Sequence, residues 1–238
     1  MPKIETQQRR TLRYFVLIIG ALALIVGSIL SPPNQTQILP LVSLTAIIFV
    51  LELLPLKLFN NNFSLIHIIL FSAGLLYGSG FAVWGCLFGI AAAVGIHSLL
   101  NKRYFPVSQN NISYLSGGIF DFGINSFTLV LTLSLFGIAR GVSSTILDSS
   151  QSRLLVLGAG IFFGIFHGGL YVISSRRLDN SQLSWINWDS LALVSIEVLP
   201  VFFGFLSLLV YHLIGVGTLL IFGVVAFSLG LLIFYLSA

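Results

Sequence analysis

A stretch of 38 residues, FSLIHIILFSAGLLYGSGFAVWGCLFGIAAAVGIHSLL, runs from Phe63 to Leu100 without a formally charged side chain. As one α-helix it would be roughly 57 Å long, nearly twice the hydrocarbon thickness of a bilayer. The stretch must therefore break, and the triplet Gly78-Ser79-Gly80 is where glycine permits a turn. We expect two short helices that form a tight hairpin, and we favour this over a re-entrant segment.

The composition places the whole chain in a membrane. Hydrophobic residues make up 57% of the sequence and charged residues only 8%, whereas soluble domains carry about 25% charged residues. We predict an all-α integral membrane protein, a polytopic helical bundle of about eight segments (range six to eight), forming a single transmembrane domain over residues 1–238. The predicted segments are residues 14–30, 38–56, 64–77, 81–100, 112–139, 154–175, 190–213 and 218–236.

The basic residues predict the orientation of the bundle. With the basic segment 1–13 in the cytoplasm, nine lysines and arginines fall on the inner side, and only Arg140 and Arg153 fall on the outer side. The sequence therefore predicts that the amino and carboxyl termini both lie in the cytoplasm. The basic pI is explained by this topology, and we expect no nucleic-acid partner.

Small residues recur at helical spacing in two segments. Gly85 and Gly89 lie one turn apart in the fourth segment, and three glycines repeat every four residues in the sixth. Small residues at this spacing let helix backbones approach closely in lipid. We favour packing within the bundle over a dimer seam for these five glycines: Gly85, Gly89, Gly160, Gly164 and Gly168.

Ionisable residues within apolar segments are costly and are functional candidates by default. Seven occur here: Glu52, His67, His97, Asp121, His167, Glu197 and His212. Three of them fall near predicted segment ends, where contact with the interface would satisfy them. We expect Glu52, His97 and His212 to be interfacial.

The other four predict a polar pocket inside the bundle. Asp121 and Asn125 lie one helical turn apart, on one face of the fifth segment. Glu197 precedes Pro200 by three residues, and a proline there is expected to kink the seventh helix. The alternative is that each group is paired internally and is only structural. The candidate ligand-binding residues are Asp121, Asn125, His167, Glu197 and His67.

No catalytic motif is present. The chain lacks a His-Glu-x-x-His pair and a phosphate-binding loop, and its four histidines are too scattered for a metal-ligand signature. We predict that the chain is not an enzyme and binds no cofactor and no metal.

The segment from Leu51 to Gly89 resembles the start of the MASE-type bacterial membrane-associated sensor domains. Glu52, Pro55, Ser64 and the Gly78-Ser79-Gly80 turn match the pattern of that family, and residues 188–235 are similar to its last two helices. Such domains precede HD-GYP phosphodiesterase, diguanylate cyclase or histidine kinase modules, and any enzyme activity would reside in such a module. Family members usually continue into such a module, and residues 1–238 do not include one.

The resemblance implies a sensory input domain in the cytoplasmic (inner) membrane of a bacterium. Such a domain binds a small or lipophilic ligand or reports the state of the membrane. Two other functions stay open. One is a vitamin-type substrate-capture subunit of a transporter, for which Ala23 and Gly27 form only a weak coupling face in the first helix. The other is an accessory subunit that binds another membrane protein. The expected partners are the lipid bilayer, a small-molecule ligand, and a second copy or another membrane protein.

Overall fold

The computed structural model describes residues 2–53, 56–58, 61–63, 65–104, 110–141, 150–179, 199–215, 217–218, 221, 223–225 and 228. Seven α-helices are bounded within this part of the chain: α1 Pro2–Leu30, α2 Ile38–Leu53, α3 Ile66–Tyr77, α4 Ser79–Tyr104, α5 Asn110–Leu135, α6 Ser150–Asp179 and α7 Leu199–Ile214. A 3₁₀ turn, Gln35–Gln37, leads directly into α2.

Five of the described helices are long and apolar enough to cross a membrane. These windows are Thr11–Leu30, Gln35–Leu53, Ser79–Leu99, Gly117–Leu135 and Ser150–Leu170. Two shorter apolar helices, Ile66–Tyr77 and Phe202–Tyr211, accompany them. The expectation of a helical protein with several apolar, membrane-compatible helices is confirmed.

The predicted break in the uncharged stretch is confirmed. Gly78, which separates α3 from α4, has a φ of +99°, a region that side chains with a Cβ rarely adopt. A Cβ at Gly78 would also collide with the Ser31 side chain. The turn is held further by the Ser79 amide, which donates to the Ala139 carbonyl at 2.7 Å.

The short helix α3 lies in the core of the bundle. Every one of its residues except Leu76 is buried, as expected of a helix that is apolar on all sides. Gly74 lets it approach Leu129 and Leu133 of α5, and Gly204 of α7 packs against Phe71. With 12 residues, α3 is only about 18 Å long. It is an inner element around which the longer helices pack.

Close glycine contacts show which helices run in the same direction. Gly123 of α5 lies against Val16 of α1, and farther along both helices Val130 approaches Gly27. Positions therefore increase together, so α1 and α5 are parallel. The same reasoning makes α2 and α4 parallel, because α4 glycines pack against Leu44 and then Ile48.

Two helices, α2 and α5, end earlier than expected. The second segment was expected to reach residue 56, but α2 ends at Leu53, and the strands β1 (Leu56–Leu58) and β2 (Asn61–Phe63) form an antiparallel pair. A proline at position 55 disfavours helix in the residue before it. Among the described residues, the regular secondary structure is thus helical apart from this small hairpin.

The fifth helix was expected to reach residue 139, but it ends at Leu135. Gly137 has a φ of +70°, its amide donates to the Ser134 carbonyl, and the Ile138 amide donates to the Leu133 carbonyl at 2.8 Å. This is the Schellman arrangement that ends a helix at a glycine. The expected segment was longer because apolar residues continue after Leu135, where the helix ends.

Candidate functional site

Four aromatic rings stack between α3 and α6 in the core of the bundle. His67 and His167 have ring centroids 5.0 Å apart with 18° between their planes, and Phe71 and Phe163 are also 5.0 Å apart, at 20°. Phe163 stacks in turn on His167 at 5.6 Å. Within each helix the two rings are four residues apart, so they lie on one face. We call these residues the ring column.

The two histidines of the ring column are deeply buried. His67 is 1% exposed and His167 is 3% exposed, and most of the residues next to each of them in the sequence are apolar. The neighbouring Phe71 and Phe163 are fully buried, so the imidazoles are enclosed by apolar rings on one side. An imidazole buried there loses its contacts with water. Its hydrogen bonds and electrostatic interactions with other groups are therefore stronger than they would be in water.

Two carboxyl groups extend this arrangement to two further helices. Asp121 of α5 interacts electrostatically with His167 of α6 and also with Glu52 of α2. Because His167 also stacks on His67 of α3, four ionisable side chains from four different helices are linked in pairs: Glu52 with Asp121, Asp121 with His167, and His167 with His67. We call Glu52, His67, Asp121 and His167 the ionisable cluster.

The sequence interpretation left out the direction of the Glu52 side chain. Glu52 is the second-last residue of α2, as expected of a residue near a segment end, and its partly exposed side chain interacts with Asp121. The reason is the face of α2 on which it lies, since Leu44 and Ile48, eight and four residues earlier, are both fully buried. The four-residue spacing that links these three positions was the signal that could have revealed its inward direction.

Asn125 lies beside the ionisable cluster, one turn along α5 from Asp121. Its side-chain nitrogen donates to the Asp121 carbonyl oxygen at 2.7 Å, and Asn125 is 4% exposed. The amide therefore binds its own helix backbone. Its carbonyl oxygen is left facing away from that bond, inside the bundle.

Cys86 of α4 approaches the same region from a fifth helix. Its thiol is fully buried, lies beside the Ser126 hydroxyl and is in the same region as Glu52 and Asp121. The sequence interpretation treated Cys86 as a small core residue and did not connect it with the carboxyl groups. Its position follows from the packing of α4 on α5, which no local spacing reveals.

The remaining candidates are placed as follows. Glu197 lies outside the described residues, so its predicted place in the polar pocket is not described. Pro200 is the second residue of α7. His97 is half-buried on α4. His212 belongs to α7, and its side chain lies outside the described part of the chain.

The packing glycines lie inside the bundle. A Cβ at Gly85 would collide with Leu44, and a Cβ at Gly89 would stand 2.6 Å from Cγ2 of Ile48. Both faces are therefore filled by α2. The three glycines of α6 are buried: Gly160, Gly164 and Gly168.

No family of known proteins, no curated protein and no solved structure matches the chain. Within the described residues, no group of three or more His, Cys, Asp and Glu side chains could hold a metal ion. We therefore infer the chemistry of the site from the side chains that form it. Two carboxyl groups and two imidazoles can exchange protons and can accept and donate hydrogen bonds. Their protonation can therefore affect how the four helices pack.

Proposed function

We propose that the chain is the membrane-embedded sensory input domain of a bacterial signalling protein of the MASE type, without catalysis of its own. The observation that carries this proposal is the convergence of Glu52, His67, Asp121 and His167 from four helices. Ionisable groups inside a membrane segment are costly, and they mark functional positions by default. A site shared by four helices can bias how those helices pack.

The ring column supplies a route from the site to the rest of the bundle. Through stacked rings, the column joins α3, the buried central helix, to α6. The stimulus would be a small or lipophilic ligand or a change in the membrane. It can act only if it stabilises one of two helix arrangements more than the other. Changing a contact in the cluster would shift α3 relative to α6, and α7, which packs on α3 at Gly204, would move with it.

The proposed domain has about eight segments with both termini in the cytoplasm, in the inner membrane. Helical residues beyond α7 support an eighth segment, because Gly223 lies against Ile47 of α2. The orientation is supported by the nine basic residues on the proposed inner side against two on the outer side.

The packing of α1 favours a sensor over a substrate-capture subunit. Such a subunit would present small residues outward to its coupling partner. Here Ala23 is buried, and Gly27 lies against Gly80 of α4 and Val130 of α5. The weak coupling face of α1 thus points inward. Because Gly85 and Gly89 are likewise covered by α2, they offer no face to an accessory partner.

The proposal is tested on the protein that the native host makes. An antibody against residues 1–13 would isolate it from native membranes, and its intact mass and peptides would be measured. We expect a mass well above 25.9 kDa and peptides of a kinase, cyclase or phosphodiesterase. A 25.9 kDa chain that co-purifies with a transporter ATPase would favour substrate capture instead.

A variant then tests the site itself. In the isolated protein, Asp121→Asn should change the activity of the attached module, because it replaces the carboxyl group that interacts with Glu52 and His167. Trp84→Phe, which removes a hydrogen bond between α4 and α1, is the matched control and should leave that activity unchanged. Equal activity of Asp121→Asn and the unmodified protein would contradict a sensory role for the cluster.

A further inference from the structure

One face of α5 carries a row of polar side chains that starts at the ionisable cluster. Asp121, Asn125, Thr128 and Thr132 are spaced four, three and four residues apart, which confines them to about 60° of arc on an α-helix. The row is roughly 16 Å long at 1.5 Å per residue. We call these four residues the polar row.

The contacts of α5 show what the polar row faces. On one side of the row, Leu129 and Leu133 pack on Gly74 of α3. On the other side, the ring of Phe127 lies 6.3 Å from that of Phe166 in α6. The row therefore faces the seam between α3 and α6, where the ring column lies. The interaction of Asp121 with His167 fixes one end of the row at that column.

Two polar atoms of the row are buried without a hydrogen-bond partner among the described residues. These are the Oδ1 atom of Asn125 and the Oγ1 atom of Thr132, whose residues are 4% and 0% exposed. Thr128 differs, because its hydroxyl donates to the Ile124 carbonyl at 2.7 Å within its own helix. A buried polar atom that lacks a protein partner is costly, and ordered water is what commonly satisfies it.

The spacing of these two atoms indicates what kind of ligand satisfies them. Asn125 and Thr132 are seven residues apart on one face, a separation of roughly 10 Å along the helix. One compact ligand does not reach both, whereas successive water molecules do. A neutral, hydrogen-bonding ligand also suits a carbonyl oxygen and a hydroxyl, neither of which is charged.

We propose that the seam between α3, α5 and α6 binds a row of ordered water molecules, from the ionisable cluster towards the Leu135 end of α5. This water gives protons a path to Asp121 and His167 through an interior that is otherwise apolar. The inference rests on the geometry of α5 and holds whether or not the chain serves in signalling.

Hydroxyl-radical footprinting of the full chain in lipid nanodiscs tests the proposal. Radiolysis produces radicals from water in place, so a buried ring is oxidised only when water lies beside it. We expect oxidation of His167 and Phe163, which face the seam, and almost none of Phe81, which is equally buried but lies elsewhere. The double variant Asn125→Leu with Thr132→Val should lower oxidation of both rings at least about threefold by removing the groups that hold the water.

Ser72→Ala is the matched control, since it removes a buried hydroxyl that bonds to the Ile68 carbonyl within α3. It should leave the oxidation of both rings unchanged. The proposal is overturned if His167 and Phe163 are no more oxidised than Phe81, or if the double variant is oxidised like the unmodified chain.

Should the double variant fail to fold, Thr132→Val alone keeps the test open, because valine has nearly the same shape as threonine. In a hydrated seam this variant lowers the melting temperature, since the water loses a partner. In a dry seam it raises the melting temperature by removing an unsatisfied hydroxyl, and that result would contradict the proposal.

Discussion

The imidazole rings of His67 and His167 lie 5.0 Å apart and nearly parallel, although the two residues are 100 positions apart in the chain. This contact joins the short inner helix α3 to the long helix α6. Asp121 of α5 interacts with His167, and Glu52 of α2 interacts with Asp121. The stacked pair therefore belongs to an ionisable cluster whose histidines are buried and whose two carboxyl residues are partly exposed.

The interaction of Asp121 with His167 should appear as energetic coupling. We expect a double-mutant cycle of Asp121→Asn and His167→Phe to give a coupling free energy of about 0.5–3 kcal/mol, the range for residues in one network. Phenylalanine at position 167 keeps a ring that can stack on His67. The free energy of unfolding in bicelles, measured by steric trapping, would provide the four values.

The control cycle combines Asp121→Asn with Trp84→Phe. Trp84 donates to Ser28 at 3.0 Å at the separate interface of α4 with α1. These two changes should add within about 0.5 kcal/mol. Additivity in both cycles would mean that Asp121 and His167 do not interact.

The close approach of α1 and α5 depends on glycine at position 123. A Cβ there would stand 2.5 Å from the carbonyl oxygen of Val16, and backbone atoms cannot move aside as a side chain can. We expect Gly123→Ala to lower the free energy of unfolding by about 1–3 kcal/mol through overpacking.

Gly117 of the same helix is the matched control, because nothing lies within 4 Å of a Cβ placed there. Gly117→Ala should leave stability unchanged or raise it by up to about 1 kcal/mol through helix propensity. Equal losses at the two positions would show that helix α5 is not packed against α1 at Gly123.

The turn between α3 and α4 should be less tolerant of substitution than the turn after α5. Gly137 has a positive φ but open space around it, so Gly137→Ala is expected to cost only the backbone strain of about 1–2 kcal/mol. Gly78→Ala meets the same kind of strain and the Ser31 side chain as well, which adds about 1–3 kcal/mol. Thermal unfolding of both variants checks this order, and a smaller loss at Gly78 would contradict the crowded turn.

The helices α1 and α3 should differ in their contact with lipid. On α1, Leu22 and Ile29 are 53% and 74% exposed, whereas α3 is buried nearly throughout. With a diazirine-bearing lipid in the bilayer, photolysis should label peptides from residues 14–30 and leave the peptide with residues 66–77 unlabelled. Labelling of both peptides to the same degree would place α3 at the lipid boundary.

The elements that follow from local sequence were predictable. Uninterrupted apolar runs indicated the long helices. Gly78 indicated the end of α3, because a glycine with a positive φ ends a helix at its own position and depends little on distant residues. The end of α5 was missed for a related reason. Its apolar composition continues to Ala139, while the helix stops at the Schellman turn around Gly137.

The candidate site was only partly predictable. Composition alone singled out Asp121, His67 and His167 as ionisable groups in apolar segments, and Asn125 followed from its spacing to Asp121. That His67 stacks on His167 depends on how α3 and α6 pack, and no local pattern contains that information. The link between Glu52 and Asp121 was missed because closeness to the helix end was given more weight than the buried face of α2 on which Glu52 lies.

Solid-state NMR of the chain in lipid bilayers, with only the histidines labelled by ¹³C and ¹⁵N, tests the convergence of the cluster most directly. The chain has four histidines, so substitution of His97 and His212 by glutamine leaves the stacked pair as the sole signals. We predict through-space cross-peaks between the two remaining rings, as expected at 5.0 Å, and their loss in His67→Phe or His167→Phe. Two well-ordered histidine signals without any cross-peak between them would contradict the buried cluster on which the proposed function rests.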